Sequence, residues 1–206
     1  MKRMITLMRH GWVDGPAALY GHTDISLSSD GENQLRTAIN RVHERHPINR
    51  IVCSPLVRCA QLANEFATAL DVPLEVMSDL KEIHFGEWDG IPFDNFSEEQ
   101  WRSLASFWEA PINARPPQGE SLQIFATRVI HSWQHIQNEH SAPHQLVLCH
   151  GGVIRIIIAH LLNLDWANPA LFRQLTIDYA SHTLIEIPDH PDALPVIRHI
   201  GEAIQA

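Results

Sequence analysis

Three short apolar runs in this chain each end in residues of the kind that do chemistry. Ile5-Thr6-Leu7-Met8 leads into Arg9-His10-Gly11, and Leu146-Val147-Leu148-Cys149 leads into His150-Gly151-Gly152. Between them, Val52-Cys53 leads into Ser54-Pro55-Leu56-Val57-Arg58. An apolar run that stops so abruptly reads as a buried strand delivering polar groups at its C-terminal edge. In open α/β sheets that edge is where ligands bind. Two histidines and two arginines brought there suit an anionic phosphoryl group.

The rest of the chain supplies the covering helices. After a Gly-, Asp- and Pro-containing loop over 12–28, Ser29-Asp30-Gly31-Glu32 reads as a capping box, and Leu35, Ala38, Ile39 and Val42 give a helix to about Arg45. Pro47 closes it, and Arg50–Cys53 is the next strand. Ser54-Pro55 reads as an N-cap with proline at N1, opening a helix whose buried stripe is Leu56, Cys59, Leu62, Phe66 and Leu70. A short strand is expected over Leu74–Met77, and short helices over Ser97–Trp108. Leu122, Phe125, Val129, Trp133 and Ile136 mark a long amphipathic helix. Strand 145–149, an apolar helix over Gly152–Leu162, and closing edge strands at Thr183–Ile187 and Pro195–His199 complete the order. Strands alternating with helices predict an α/β fold: a three-layer α/β/α sandwich on a mostly parallel central sheet. The expected organisation is one domain over 1–206. Residues of about 79–119, too few for a core of their own, form an insertion covering the cleft.

Composition narrows the partners. A net charge of −9 over 206 residues argues against a nucleic-acid footprint, which needs a basic face. Lys2 and Arg3 precede only a few uncharged residues before Arg9, too few for a signal-peptide core, and no apolar run spans a bilayer. The expectation is a soluble, cytoplasmic protein. Cys53, Cys59 and Cys149 lack metal-ligand spacing and read as small buried hydrophobes. Among the fourteen histidines the best helical pair is His131 and His135, which lacks the acidic partner of a zinc-protease motif and reads as a solvated face. No metal and no cofactor are expected.

At the strand ends, a neutral His10 is a nucleophile toward phosphorus, and its attack gives a phosphohistidine. Arg9 and Arg58 offer forked donors for the equatorial oxygens, and a protonated His150 would add another. Gly151-Gly152, opening a helix, would add backbone N–H groups and a positive dipole end. Glu82, ahead of a Gly-rich turn, is the best-placed acid for the leaving oxygen and the later base for water.

These segments, in this order, resemble the histidine phosphatase superfamily, in the branch of cofactor-dependent phosphoglycerate mutases and small-metabolite phosphatases. The resemblance covers nearly the whole chain. Leu7-Met8-Arg9-His10-Gly11 matches the signature motif, which implies His10 as nucleophile and Arg9 as phosphate ligand. Ser54-Pro55-Leu56-Val57-Arg58-Cys59-Ala60 implies a second phosphate ligand in Arg58. The segment from Leu80 to Gly90 implies Glu82 as general acid, and His150-Gly151-Gly152 implies His150 in the phosphate pocket. The resemblance also implies that no metal is needed and that the partner is a small phosphorylated metabolite.

One departure stands out. Trp12-Val13 follow Arg-His-Gly, and Pro16 stands where the family often has a phosphate-binding Asn, which leaves Thr23 or His22 to complete the donor set. Tyr20-Gly21-His22-Thr23-Asp24, the Phe85–Gly90 turn and Pro117-Gln118-Gly119-Glu120-Ser121 look most like the α-ribazole-5′-phosphate phosphatases of cobalamin assembly. Trp12, Trp88, Trp101 and Trp108 then either stack on an aromatic leaving group or pack the insertion against the body. A mutase, a phosphatase of another metabolite and a non-catalytic phospholigand-binding module are the alternatives. Oligomeric state is not legible.

Overall fold

The computed structural model describes residues 2–112, 114–190 and 193–203. In chain order the elements are β1 (Arg3–Arg9), α1 (Ser29–Arg45), β2 (Arg50–Cys53), α2 (Val57–Leu70), β3 (Leu74–Val76), α3 (Glu98–Glu109), α4 (Leu122–Asn138), β4 (His144–Cys149), α5 (Gly151–Leu161), α6 (Ala170–Arg173), β5 (His182–Ile187) and β6 (Val196–Glu202). The strands form one six-stranded sheet in the order β3-β2-β4-β1-β5-β6. β3, β2, β4 and β1 run parallel; β5 is antiparallel to β1, and β6 to β5.

The uninterrupted apolar character of the central strands follows from burial on both faces. Side chains alternate along a strand, so Leu146 and Leu148 join Met8, Ile51, Leu35 and Leu62 on the α1/α2 face. Val147 and Cys149 join Ile5, Leu7, Val52, Phe125, Trp133 and Ile156 on the α4/α5 face. The result is the expected three-layer α/β/α sandwich. Leu80, Ile83, Phe85, Trp88, Phe96, Leu104 and Phe107, all between 79 and 119, pack into that second cluster. The same stretch is tied by backbone to the loop after β1, through Gly90 N–H to Leu19 O at 2.8 Å and Phe93 N–H to Ala17 O at 2.9 Å. Among the described residues no helix is long and apolar enough to cross a membrane.

Several boundaries differ from expectation for identifiable reasons. The N-cap of α1 is Ser28, one residue before the expected box, and its hydroxyl accepts from Gly31 N–H at 3.0 Å. α2 starts at Val57 rather than at Pro55, because Leu56 is extended and the Ser54 hydroxyl is engaged by His150. The 97–108 region is one helix with a complete Ser97/Gln100 capping box. β5 is not an edge: it lies between β1 and β6, so only β6 closes that side.

Candidate active site

Adjacent strand ends bring the two histidines together. His10 N–H donates to Cys149 O at 3.1 Å, Ser54 N–H to Leu148 O at 3.0 Å, and Ala180 N–H to His10 O at 3.0 Å. The backbone of His10 is thus fixed from both sides, and its ring centroid lies 5.2 Å from that of His150. His10 Nδ1 is 2.8 Å from Gly11 O. A carbonyl only accepts, so Nδ1 carries the proton and Nε2 keeps its lone pair. Burial, with the nearby Arg58 and Arg9 guanidinium groups, holds the His10 pKa well below the usual imidazole value. Neutral His10 with a free Nε2 is the form a nucleophile requires.

His150 does not take the protonated form that would have added a further donor. It is completely buried, and Arg58 Nε–H donates to its Nδ1 at 3.4 Å, so the ring proton sits on Nε2, 2.8 Å from Ser54 Oγ. Burial, Arg58 and His10 all depress its pKa, so His150 is neutral here. Arg58 is also fully buried, and its remaining bonds go to the carbonyls of Thr23 (2.8 Å), Tyr20 (2.9 Å) and Gly21 (2.7 Å). The Tyr20 and Gly21 carbonyls face Arg58 because Asp89 holds the N–H side of the same peptides. It accepts from the N–H groups of Gly21, His22 and Thr23 at 3.1, 2.7 and 3.0 Å, and from the Thr23 hydroxyl at 2.6 Å. The Thr23 side chain is therefore committed to Asp89, and His22 packs on His84 with centroids 4.6 Å apart. Neither side chain lines the cavity beside His10.

That cavity, about 170 Å³, is lined by Arg9, His10, Glu82, Gly152 and Arg155 among the polar positions, with Leu19, Tyr20, Phe85, Trp108, Phe172 and Tyr179 around them. It is smaller than the ~300–1,000 Å³ of sites that enclose a drug-sized ligand. It has room to enclose a phosphoryl group and its first ester atoms, with the remainder lying against the aromatic rim. Arg9 donates to Ile177 O at 2.6 Å and stacks 3.7 Å from the Tyr179 ring centroid, while its Nε is buried without a hydrogen bond. Glu82 caps α5: its Oε2 accepts Gly152 N–H at 2.9 Å. This N–H, expected to face a phosphate, is spoken for by the carboxylate. A Cβ on Gly152 would stand 2.2 Å from Glu82 Oε1, so a larger residue there would push the carboxylate aside. Gly151 lies under Arg155 and Arg9, where a Cβ would come within 2.9 Å of Arg155 Nη1.

The four tryptophans separate. Trp88 is 2% exposed and packs on Phe107 in the core; Trp12 and Trp101 are largely exposed; Trp108 alone of the four lines the cavity. Sequence reasoning missed Arg155, whose signal was a single arginine in an otherwise apolar helix, and Arg128. From α4, Arg128 reaches the carbonyls of Asp79, Lys81 and Glu82 at 2.7, 2.6 and 2.9 Å and pairs with Glu120. It clamps the segment that carries Glu82.

Comparison with known proteins decides the family. The model of the histidine phosphatase superfamily (branch 1) matches residues 5–197. The chain belongs to that superfamily. It is a phosphatase, and hence a hydrolase. This histidine phosphatase is 30% identical over 169 residues to an adenosylcobalamin/alpha-ribazole phosphatase of Salmonella typhimurium, covering 81% of this chain and 83% of the relative. Its fold matches the alpha-ribazole phosphatase of Shigella flexneri at a TM-score of 0.80 and 21% identity, covering 98% of both chains. It also matches a mycobacterial glucosyl-3-phosphoglycerate phosphatase at a TM-score of 0.76 and 23% identity, over 90% of this chain and 91% of the other.

Proposed function

We propose that this phosphatase hydrolyses a phosphomonoester through a phosphohistidine on His10, and that its substrate is α-ribazole 5′-phosphate, used in cobalamin nucleotide-loop assembly. The observation that carries the mechanism is the His10 ring, neutral, with Nδ1–H held by Gly11 O and Nε2 unprotonated. Nε2 attacks phosphorus, the P–O ester bond breaks, and Glu82 gives its proton to the leaving oxygen. Water then attacks the phosphohistidine as Glu82 takes back a proton, the P–N bond breaks, and phosphate leaves. Arg9 supports this with a buried Nε donor that has no hydrogen bond, and Arg155 with a second guanidinium on the cavity wall. Arg58, His150 and Gly151 do not line the cavity; Arg58 and His150, both fully buried, act on the phosphate pocket from behind by holding the 20–23 loop and the strand end next to His10. The chain acts as one domain, with 79–119 as the cover of its cleft, on a small cytoplasmic metabolite.

Two observations favour the α-ribazole substrate: the likeness to the Salmonella phosphatase, and a rim of Tyr20, Phe85, Trp108 and Phe172 suited to a flat aromatic leaving group. The test is phosphate release in EDTA from α-ribazole 5′-phosphate, 3-phosphoglycerate and p-nitrophenyl phosphate, with His10→Ala alongside. The expected result is a kcat/KM for α-ribazole phosphate roughly a hundredfold above the others, about 2.7 kcal/mol of discrimination. Equal rates on all three would reject the substrate and keep the mechanism. Activity surviving His10→Ala would reject the mechanism.

A further inference from the structure

The hairpin of β5 and β6 departs from regular pairing at its end. His182 pairs with Glu202 and Leu184 with His199, so three positions along β6 match two along β5. Gly201 lies within that extra step at φ 62°, a left-handed conformation that glycine adopts without strain, and its N–H donates to Thr183 Oγ1 at 3.1 Å. In a regular strand residues three apart point to opposite faces. One inserted residue returns them to the same face, which is how bulges re-aim side chains at sheet edges. Here the bulge turns His199 and Glu202 toward His182.

The three side chains converge with the geometry of a ligand set. Glu202 Oε2 lies 3.5 Å from His182 Nε2 and 3.2 Å from His199 Nε2, and one ligand atom from each residue falls within 4.8 Å of the other two. Tetrahedral bonds of ~2.0–2.1 Å to zinc place neighbouring ligand atoms roughly 3.3–3.4 Å apart. His182 Nδ1 donates to the Glu202 backbone oxygen at 3.0 Å, which fixes the tautomer and leaves Nε2 as the lone pair facing the cluster. That outer bond to a carbonyl is the usual support of a metal-bound histidine. His199 Nε2 is buried and makes no hydrogen bond. The other carboxylate oxygen of Glu202 lies 3.6 Å from Arg45 Nη1, which orients the carboxylate and leaves Oε2 free. Arg45 is also a cation near the site, so its charge opposes the bound ion and sets a ceiling on affinity.

We propose that His182, His199 and Glu202 form a binding site for a divalent first-row transition cation, Zn²⁺ foremost, with water as the fourth ligand. Two imidazole donors and one carboxylate select this class over Ca²⁺ and Mg²⁺, which take all-oxygen sets. The ion pins the edge strand β6 to β5. The residues just before β5 hold the active strand, through Ser181 O to Arg9 N–H at 3.1 Å and Ala180 N–H to His10 O. The site takes no part in hydrolysis.

The experiment titrates the full chain, freed of metal by chelator, with Zn²⁺ against a chromophoric competitor, and with Co²⁺ read by visible absorption. The variants are His199→Ala, Glu202→Gln and, as a control, His131→Ala with His135→Ala on the exposed face of α4. The expected result is one equivalent of Zn²⁺, intense tetrahedral Co²⁺ bands and a zinc-dependent rise in Tm in the parent protein. His199→Ala and Glu202→Gln should each weaken binding by at least about tenfold and abolish the Tm rise. The α4 double variant should match the parent. His199→Ala should retain full phosphatase activity in EDTA. Absence of stoichiometric binding, or binding unchanged in both ligand variants, overturns the proposal. Binding lost only in His10→Ala also overturns it, by assigning the ion to the catalytic pair.

Discussion

Arg128 offers the sharpest test of how the candidate acid is held. Its guanidinium makes bonds of 2.7, 2.6 and 2.9 Å to the carbonyls of Asp79, Lys81 and Glu82, and Nε reaches Glu120 Oε2 at 3.1 Å. Glu120 in turn accepts His84 N–H at 2.8 Å, so both sides of Glu82 hang on this pair. Arg128→Met keeps an unbranched apolar side chain at the position and removes the guanidinium, with its hydrogen bonds and its stacking 4.8 Å over the Phe125 ring. Removing one member of a fully buried ion pair costs about 3–5 kcal/mol. The two side chains here are 16% and 12% exposed, and Glu120 keeps the His84 N–H, so about 2–3 kcal/mol is the reasoned loss. For a domain of this length that lowers Tm by roughly 4–12 °C.

The catalytic effect distinguishes positioning from mere loosening. A misplacement of about 1 Å costs on the order of a hundredfold in rate. A general acid is needed when the leaving group is a poor one, an alkoxide, and little needed for p-nitrophenolate. Arg128→Met should therefore lower kcat/KM for an alkyl phosphate by about a hundredfold and for p-nitrophenyl phosphate by less than about tenfold, measured well below Tm. Equal losses on both substrates would refute the positioning argument, and so would an unchanged alkyl phosphate rate.

Gly152→Ala places a methyl against the Glu82 carboxylate at 2.2 Å, so it should show the same leaving-group signature while α5, apolar and well buried, keeps the protein folded; wild-type rates on alkyl phosphate would contradict the close approach. Acid should destabilise the protein through His144, a buried residue bonded to Thr6 Oγ1 and His46 O, whose pKa burial lowers to about 4. Above pH ~6.5 both folded and unfolded forms are neutral there and stability is complete; between pH 6.5 and 4 only the unfolded chain takes the proton, costing about 3 kcal/mol. His144→Gln should flatten that part of the chemical-denaturation profile, and an unaltered slope would assign the acid sensitivity elsewhere.

What could be read from the sequence was whatever lies contiguous along the chain. The strand ends at His10, Ser54 and His150 announce themselves because an apolar run and its polar terminus are neighbours in sequence, and so does the amphipathic stripe of α4. What could not be read depends on tertiary partners. Thr23 was given a phosphate to bind because its hydroxyl was unassigned; Asp89, 66 residues away, claims it. A protonated His150 would have added a donor, yet Arg58 donates to its Nδ1 and burial disfavours a second ring proton. Trp88 has the composition of a stacking residue and the location of a core residue. The His182–His199–Glu202 cluster escapes any spacing rule for helices, since a hairpin and one extra residue assemble it.

The pairing of β1 also has a consequence for how the protein comes to be active as it is made. His10 lies on the strand end of β1, far ahead in the chain of the neighbours that fix it on both sides, Cys149 and Ala180. A nascent chain halted before β4 holds His10 with neither flanking strand. One halted between β4 and β5 has half of its backbone anchors. The loop-closure entropy of joining residue 10 to residue 180 must be met before the imidazole is oriented. The backbone bonds that orient His10 are thus complete only once the chain has reached β5.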